Sequence, residues 1–149
     1  NVTKMGWIFA NTEKFNGDIS NWDVSNVTDM DSMFRHASKF NGDISNWDVS
    51  SVTDMGGCMI DIGGMFSYAS KFNGDISNWD VSNVTIMRQM FLGAEKFNQD
   101  LSNWNVVSVE DCSRFSEGAN SWTLPKPKFK NCKHPTRKVV EKLRIRKHS

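Results

Sequence analysis

The sequence predicts an α/β repeat solenoid of about five stacked 25-residue coils, with short parallel strands on one face and short helices on the other. Three observations carry this reading. A block recurs, as FNGDISNWDVS from Phe15, Phe40 and Phe72 and as FNQDLSNWNVV from Phe97, in steps of 25, 32 and 25 residues. The stretches between blocks recur too: VTKMGWIFANTEKF (2–15), VTDMDSMFRHASKF (27–40), VTIMRQMFLGAEKF (84–97) and a drifted VEDCSRFSEGANSW (109–122). Finally, the two kinds of stretch differ in apolar period, one suited to a strand and one to a helix.

Each element follows from its residues. Asn16-Gly17-Asp18 is a turn signal. Ile19, Trp22 and Val24 alternate with polar residues, as in a strand with one buried side. Met30, Met33, Phe34, Ala37 and Phe40 fall at i, i+3, i+4, i+7 and i+10, one apolar helical face. Thr28 is the expected N-cap, with Asp31 as its capping-box partner, and Thr3, Thr53 and Thr85 take the same place. One such unit cannot bury its own face, whereas stacked units can, with strands about 4.8 Å apart. Ten residues make a marginal helix, so an all-β solenoid is the alternative. The long step holds seven extra residues within 56–64, between two Gly pairs that leave the insertion point open.

The order I-x-x-W-x-V-x-x-V-x-x-M-x-x-M-F matches a leucine-rich-repeat-like pattern with other apolar residues at the Leu positions. With F-N-G-D-I-S-N-W-D-V-S-N-V-T-D-M ahead of it, the unit resembles the BspA-like surface-protein repeat, found also in mycoplasma-type lipoproteins. The resemblance covers residues 2 to about 124. It implies a non-enzymatic solenoid, often secreted or cell-surface, used for adhesion or protein contacts, and it brings no catalytic motif.

The net charge of +1 hides a split. Residues 1–125 carry 8 basic and 16 acidic side chains; residues 126–149 carry 10 basic and one acidic. We therefore expect two regions, a repeat body over 1–124 and a basic tail over 125–149. No apolar run approaches the ~20 residues of a membrane helix. The opening Asn1-Val2-Thr3-Lys4 shows neither an initiator Met nor a signal-peptide core, so a mature form or a fragment is expected. Three cysteines are too few for a disulfide scaffold or a Cys-rich zinc module. Ten Phe, eight Met and six Trp are enough to fill a core.

The candidate interaction residues start with Asp23, Asp48, Asp80 and Asn105, expected to line the outer strand face. Such a row suits basic groups or cations, or is simply solvated and held by Asn and Ser ladders. Asp18, Asp43, Asp75 and Asp100 are expected to cap their turns, and Asn16, Asn41, Asn73 and Asn98 to form a buried amide ladder. The N-V-T triplets at Asn1, Asn26 and Asn83 are sequons, but their Thr already has a capping role. Cys112 stands where the repeat has Met and could pair with Cys132 or remain a free thiol. His36, His134 and His148 lack zinc-ligand spacing. No catalytic residue, cofactor site or metal site is expected, because the carboxylates recur with the unit.

The insertion offers an apolar loop with Met59 and Ile60 as candidate contacts. Trp122, Leu124 and Phe129 are expected to cover the last coil. Beyond them Lys138, Lys142, Arg144 and Arg146 flank an apolar stripe on a short basic helix. That segment suits nucleic acid, an anionic lipid surface, an acidic protein or the acidic body itself. The expected function is a non-enzymatic protein-interaction or structural module with a protein partner, at a cell surface or as an accessory subunit. The alternative is binding of nucleic acid or an anionic membrane through the basic tail.

Overall fold

The computed structural model of the chain describes residues 1–57 and 62–132. Among them there is no α-helix, and strand pairing is confined to isolated bridges. The bridges are parallel and link Lys4 to Asp29, Asp29 to Asp54, Asp54 to Ile86 and Ile86 to Asp111. The expected α/β solenoid of helices and strands, with its leucine-rich-repeat pattern, is therefore not what forms. The chain instead runs through successive turns, one copy of the repeat lying over the next. We number the copies coil 1 (2–26), coil 2 (27–51), coil 3 (52–83), coil 4 (84–108) and coil 5 (109–124).

Backbone hydrogen bonds explain the missing helix. The amides of Met33, Ala37 and Phe40 donate to the carbonyls of Met30, Phe34 and Ala37, at 3.3, 2.9 and 3.2 Å. These three-residue steps close turns, where an α-helix needs four-residue steps. The amides of Met30, Ser32, Phe34 and His36 leave the coil altogether and donate to Asp54, Gly56, Met65 and Ser67 of coil 3. Turns also replace the expected strand, with Trp22 N–H donating to Ile19 and Val27 N–H to Val24. The pairs Ile19/Trp22, Val24/Val27, Met30/Met33 and Phe34/Ala37 are thus the two ends of turns. The spacing read as a helical face is the spacing of turn ends that both point into the core.

This path requires left-handed backbone. Ser32 and His36 have φ of 55° and 58°, and Trp7, Asn11, Tyr68, Gln89 and Arg114 behave alike in other coils. Such a conformation costs a residue with a Cβ about 1–2 kcal/mol. The bonds to the neighbouring coil, made by the same residues, offset it. Gly93 and Gly118 occupy the place of His36 in coils 4 and 5 without that cost.

Thr28 is not an N-cap. Its N–H donates to the Thr3 carbonyl at 2.7 Å and its hydroxyl to the same oxygen at 3.3 Å. Thr53 and Thr85 repeat the bond one coil further on. The position thus bonds coil to coil.

The core is a set of aromatic columns. Phe9, Phe34, Phe66 and Phe91 stack with ring centroids 5.5 Å apart at each step. Phe15, Phe40, Phe72 and Phe97 form a second column at 5.8–5.9 Å. Trp47, Trp79 and Trp104 are buried, and each indole donates to a carbonyl of the preceding coil, Ile19, Ile44 and Ile76. A buried indole N–H needs such a partner, and the repeat supplies one at every step.

Coil 3 locates the insertion. Met65 N–H donates to Met55 O, the counterpart of the Met33 to Met30 turn in coil 2. Gly57 N–H donates to Arg88 O just as Ser32 N–H donates to Gly56 O one coil earlier, so Gly57 keeps the repeat register and the seven extra residues are 58–64. A Cβ at Gly57 would overlap the Ile62 carbonyl, so the two legs of the loop pass too closely for a side chain there.

The last coil is covered. Trp122 takes the column place of Phe and meets Phe97 edge-on at 4.8 Å. Leu101 N–H donates to Pro125 O, Phe129 packs edge-on against Phe115 at 5.0 Å, and a disulfide joins Cys112 to Cys132 with Cα atoms 5.7 Å apart. Leu124, expected to share in the cover, is exposed instead.

Candidate interaction surface

The surface is built from one device used repeatedly. In each D-x-S triplet the Asp Oδ1 accepts from the Ser N–H and the Ser hydroxyl two residues on. Asp18 with Ser20, Asp43 with Ser45, Asp75 with Ser77 and Asp100 with Ser102 do so at 3.0 and 2.6 Å. The row of candidate residues follows suit: Asp23 binds Ser25, Asp48 binds Ser50 and Asp80 binds Ser82. Asn105 keeps only the backbone half, accepting from Val107 N–H at 3.2 Å. These are Asx turns, in which a short side chain takes the place of a backbone acceptor.

The turns set the charge state. Bonds from Ser25, Ser50 and Ser82 hold Asp23, Asp48 and Asp80 below the usual carboxylate range. Asp80 and Asp23 both push Asp48 the other way, so the three carboxylates face one another across coils. The row is exposed, and one carboxylate oxygen of each member is committed to its own turn. Sequence reasoning placed this row outward but missed its local task, although D-x-S is legible at every copy.

The amide ladder exists, but at the surface. Asn16 Oδ1 accepts from Asn41 N–H at 3.0 Å, Asn41 from Asn73 at 2.9 Å and Asn73 from Asn98 at 2.8 Å. Asn16, Asn41 and Asn73 are exposed rather than buried. Asn26 is also exposed, while Asn83 donates its side-chain amide to Ser50 O at 2.7 Å. His36 is half-buried and stacks on Tyr68 at 4.6 Å. Burial and the nearby Arg35 push its pKa down.

A second acidic column was not singled out from sequence. Asp31, 8% exposed, accepts the Trp7 indole N–H and lies beside Asp29 and Asp54. Burial, reinforced by Asp29, raises its pKa to about 6. Burial also raises Asp54. At Asp111 burial acts upward, but bonds from Ser113 and Arg88 outweigh it and the net shift is downward. Arg88 pairs with Asp111 at 2.7 Å and donates to Gly57 O at 3.1 Å, tying coil 4 to coils 5 and 3.

Met59, Ile60, Lys138, Lys142, Arg144 and Arg146 lie outside the described residues, as does Cys58. Among the described residues no group of three His, Cys, Asp or Glu is arranged to hold a metal ion. No described helix is long and apolar enough to cross a membrane. An open cleft of about 300 Å³ lies where the 126–129 segment crosses coil 5, lined by Arg114, Phe115, Glu117, Lys126 and Phe129 among others. Beside it Arg114 pairs with Glu117 within coil 5, and Lys126 Nζ donates to the Trp122 carbonyl.

The sequence model of one family, described as Mycoplasma protein of unknown function, DUF285, matches residues 1–62 and 57–140. That match does not extend to the BspA-like or leucine-rich-repeat assignments read from the motif. No curated protein and no solved structure matches the chain.

Proposed function

This chain belongs to the DUF285 family, and from that premise we propose that it is a non-enzymatic module that binds a protein partner through its outer Asp face. One observation carries the reading. Asp23, Asp48 and Asp80 repeat the same exposed turn coil after coil, with one carboxylate oxygen spent on the turn. A catalytic site needs a unique set of groups, whereas a repeated set suits an extended contact. The carboxylates favour a partner with basic side chains at matching intervals.

The Cys112–Cys132 disulfide supports an extracellular or cell-surface setting, since such bonds persist where the environment is oxidising. The test is cross-linking and pull-down from the native source with the wild-type chain and with an Asp23→Asn, Asp48→Asn, Asp80→Asn variant. Asn keeps the turn acceptor and removes the charge. A partner captured by the wild type and lost by the variant is the expected result; a partner retained equally by both contradicts it.

The tail supports a second reading, because 10 of the 18 Lys and Arg residues follow residue 125. Binding of nucleic acid or anionic lipid through this segment requires affinity that falls steeply with salt. It also requires loss of that binding in a chain ending at Pro125.

A further inference from the structure

We propose that the exposed His36–Tyr68 ring stack and the bare backbone at Gly118 beyond it form a binding site for a neutral sugar ring of a carbohydrate chain. The inference goes beyond the Asp-row reading, since it concerns a different column of the repeat and a different kind of ligand.

Asn11, His36, Tyr68, Gly93 and Gly118 hold the same place in coils 1 to 5, all with φ between 57° and 77°. Coils 4 and 5 meet that backbone with Gly, the residue it suits. Coils 2 and 3 set an imidazole and a phenol there, although left-handed backbone disfavours a bulky side chain. The bonds to the next coil form whichever residue stands at this place, as Tyr68 N–H to Leu92 O and Gly93 N–H to Glu117 O show, so they do not account for the rings. Burial does not account for Tyr68 either, which is 41% exposed. Side chains held in a costly conformation without a packing return gather at functional sites.

The stack ends inside the repeat body. The His36 and Tyr68 rings lie 4.6 Å apart and within 13° of parallel. A Cβ on Gly93 would come within 2.5 Å of the Tyr68 ring, so the phenol reaches forward and fills the space over coil 4. A Cβ on Gly118, one coil further, would meet only the Gly93 backbone, at 3.4 Å. His36 covers one face of the phenol, and the other looks along the coils towards Gly118, which carries no side chain. In the two Phe columns a ring of the next coil takes the corresponding place, at 5.5 to 5.9 Å. Beyond Tyr68 that place is open to a ring from outside the chain.

The surroundings select the ligand. A pyranose ring has a face of C–H groups, slightly positive against the negative face of an aromatic ring, and a rim of hydroxyls. Glu117 and Asn120, both exposed, stand on either side of Gly118 in the chain, and Glu117 pairs with Arg114. Carboxylate, guanidinium and carboxamide together offer acceptors and donors, as hydroxyl groups require. The Arg114–Glu117 pair has no net charge, so a phosphorylated ring gains no surplus of cations from it. An aromatic surface with a few polar groups at its edge is the arrangement that holds and orients a neutral ring.

The test uses the full chain and, as probes, the tetramers of glucose, galactose, mannose and N-acetylglucosamine, with tetragalacturonate as the charged control. Binding is followed by calorimetry and by the ring resonances of Tyr68, the single tyrosine of the chain. Tyr68→Gly puts in coil 3 the residue that coils 4 and 5 already carry, and Tyr68→Phe keeps the ring. The expected result is that at least one neutral tetramer binds and shifts the Tyr68 ring, that Tyr68→Phe binds it as the wild type does, and that Tyr68→Gly binds it about tenfold more weakly. Binding of none of the four, binding that leaves the Tyr68 ring unmoved, or binding undiminished in Tyr68→Gly overturns the proposal. Tighter binding of tetragalacturonate than of every neutral tetramer overturns it too. The ring shift is read in the wild type, so the proposal can be refuted even where Tyr68→Gly fails to fold. None of these outcomes bears on the Asp-row pull-down, so the two readings fail separately.

Discussion

The indole Nε1 of Trp7 donates a hydrogen bond to Asp31 Oδ2 at 3.0 Å, joining coil 1 to the most buried carboxylate among the described residues. Asp29 and Asp54 lie on the same side, and burial with Asp29 raises the Asp31 pKa to about 6. A raised carboxylate binds its proton more tightly folded than unfolded. Its ionisation therefore costs stability above about pH 6, and that cost is relieved as pH falls from 6 towards the ordinary Asp value of 3.8. We expect the urea midpoint of the wild type to rise on acidification across this window. Asp31→Asn should flatten the rise, and an unchanged slope would sink the assignment.

The exposed turns work in the opposite direction. Ser hydroxyls and amides lower the pKa of Asp18, Asp43, Asp75 and Asp100, as they do for the Asp23 row. A lowered carboxylate stabilises the fold above its unfolded pKa, and that stability is lost as pH falls through the folded value. Stability should thus pass through a maximum between about pH 4 and 6 and fall below it. At neutral pH, Asp48→Ala should lower the urea midpoint more than Asp48→Asn, because Asn retains the acceptor for Ser50. Equal midpoints would mean that the turn contributes nothing.

These two acid classes show how much was legible. The repeat, its 25-residue register and the buried Trp and Val positions follow from pattern alone, since burial repeats with the unit. The helix did not follow, because Met30, Met33, Phe34 and Ala37 satisfy a helical face and a chain of turns equally well. Only the destination of the amides separates the two, and a single copy of the repeat does not reveal it. Positive φ at Ser32, His36 and Tyr68 was equally hidden, since none of these residues announces it. The Asp31 pocket depends on Gly6 in the coil below, where a Cβ would overlap the carboxylate, and so on a departure from the repeat.

Trp47 joins packing to bonding, buried against Phe34 and Trp79 with its indole on Ile19 O. Trp47→Ala should cost about 3–5 kcal/mol in denaturant unfolding. Trp22→Ala should cost clearly less, since Trp22 is partly exposed and its indole has no acceptor among the described residues. Equal losses would mean that the burial and the indole bond of Trp47 contribute nothing beyond what Trp22 already gains.

The Cys112–Cys132 bond closes a loop with a sequence separation of 20. Chain-entropy arguments for a loop of this size give a contribution of about 3 kcal/mol. Reduction, or Cys132→Ser, should lower the unfolding midpoint and raise amide exchange across 125–132, where Phe129 and Asn131 are held against coils 5 and 4. Unchanged exchange would show that these contacts suffice without the bond.

The central claim is that amides in the repeat bond to the next coil and not along a helix. The most direct measurement is the scalar coupling transmitted through the hydrogen bond of Phe34 N–H in isotopically labelled protein. The account predicts a coupling to the carbonyl carbon of Met65, whose oxygen lies 2.8 Å from that nitrogen. A coupling to the carbonyl of Met30, the four-residue partner of an α-helix, would contradict it.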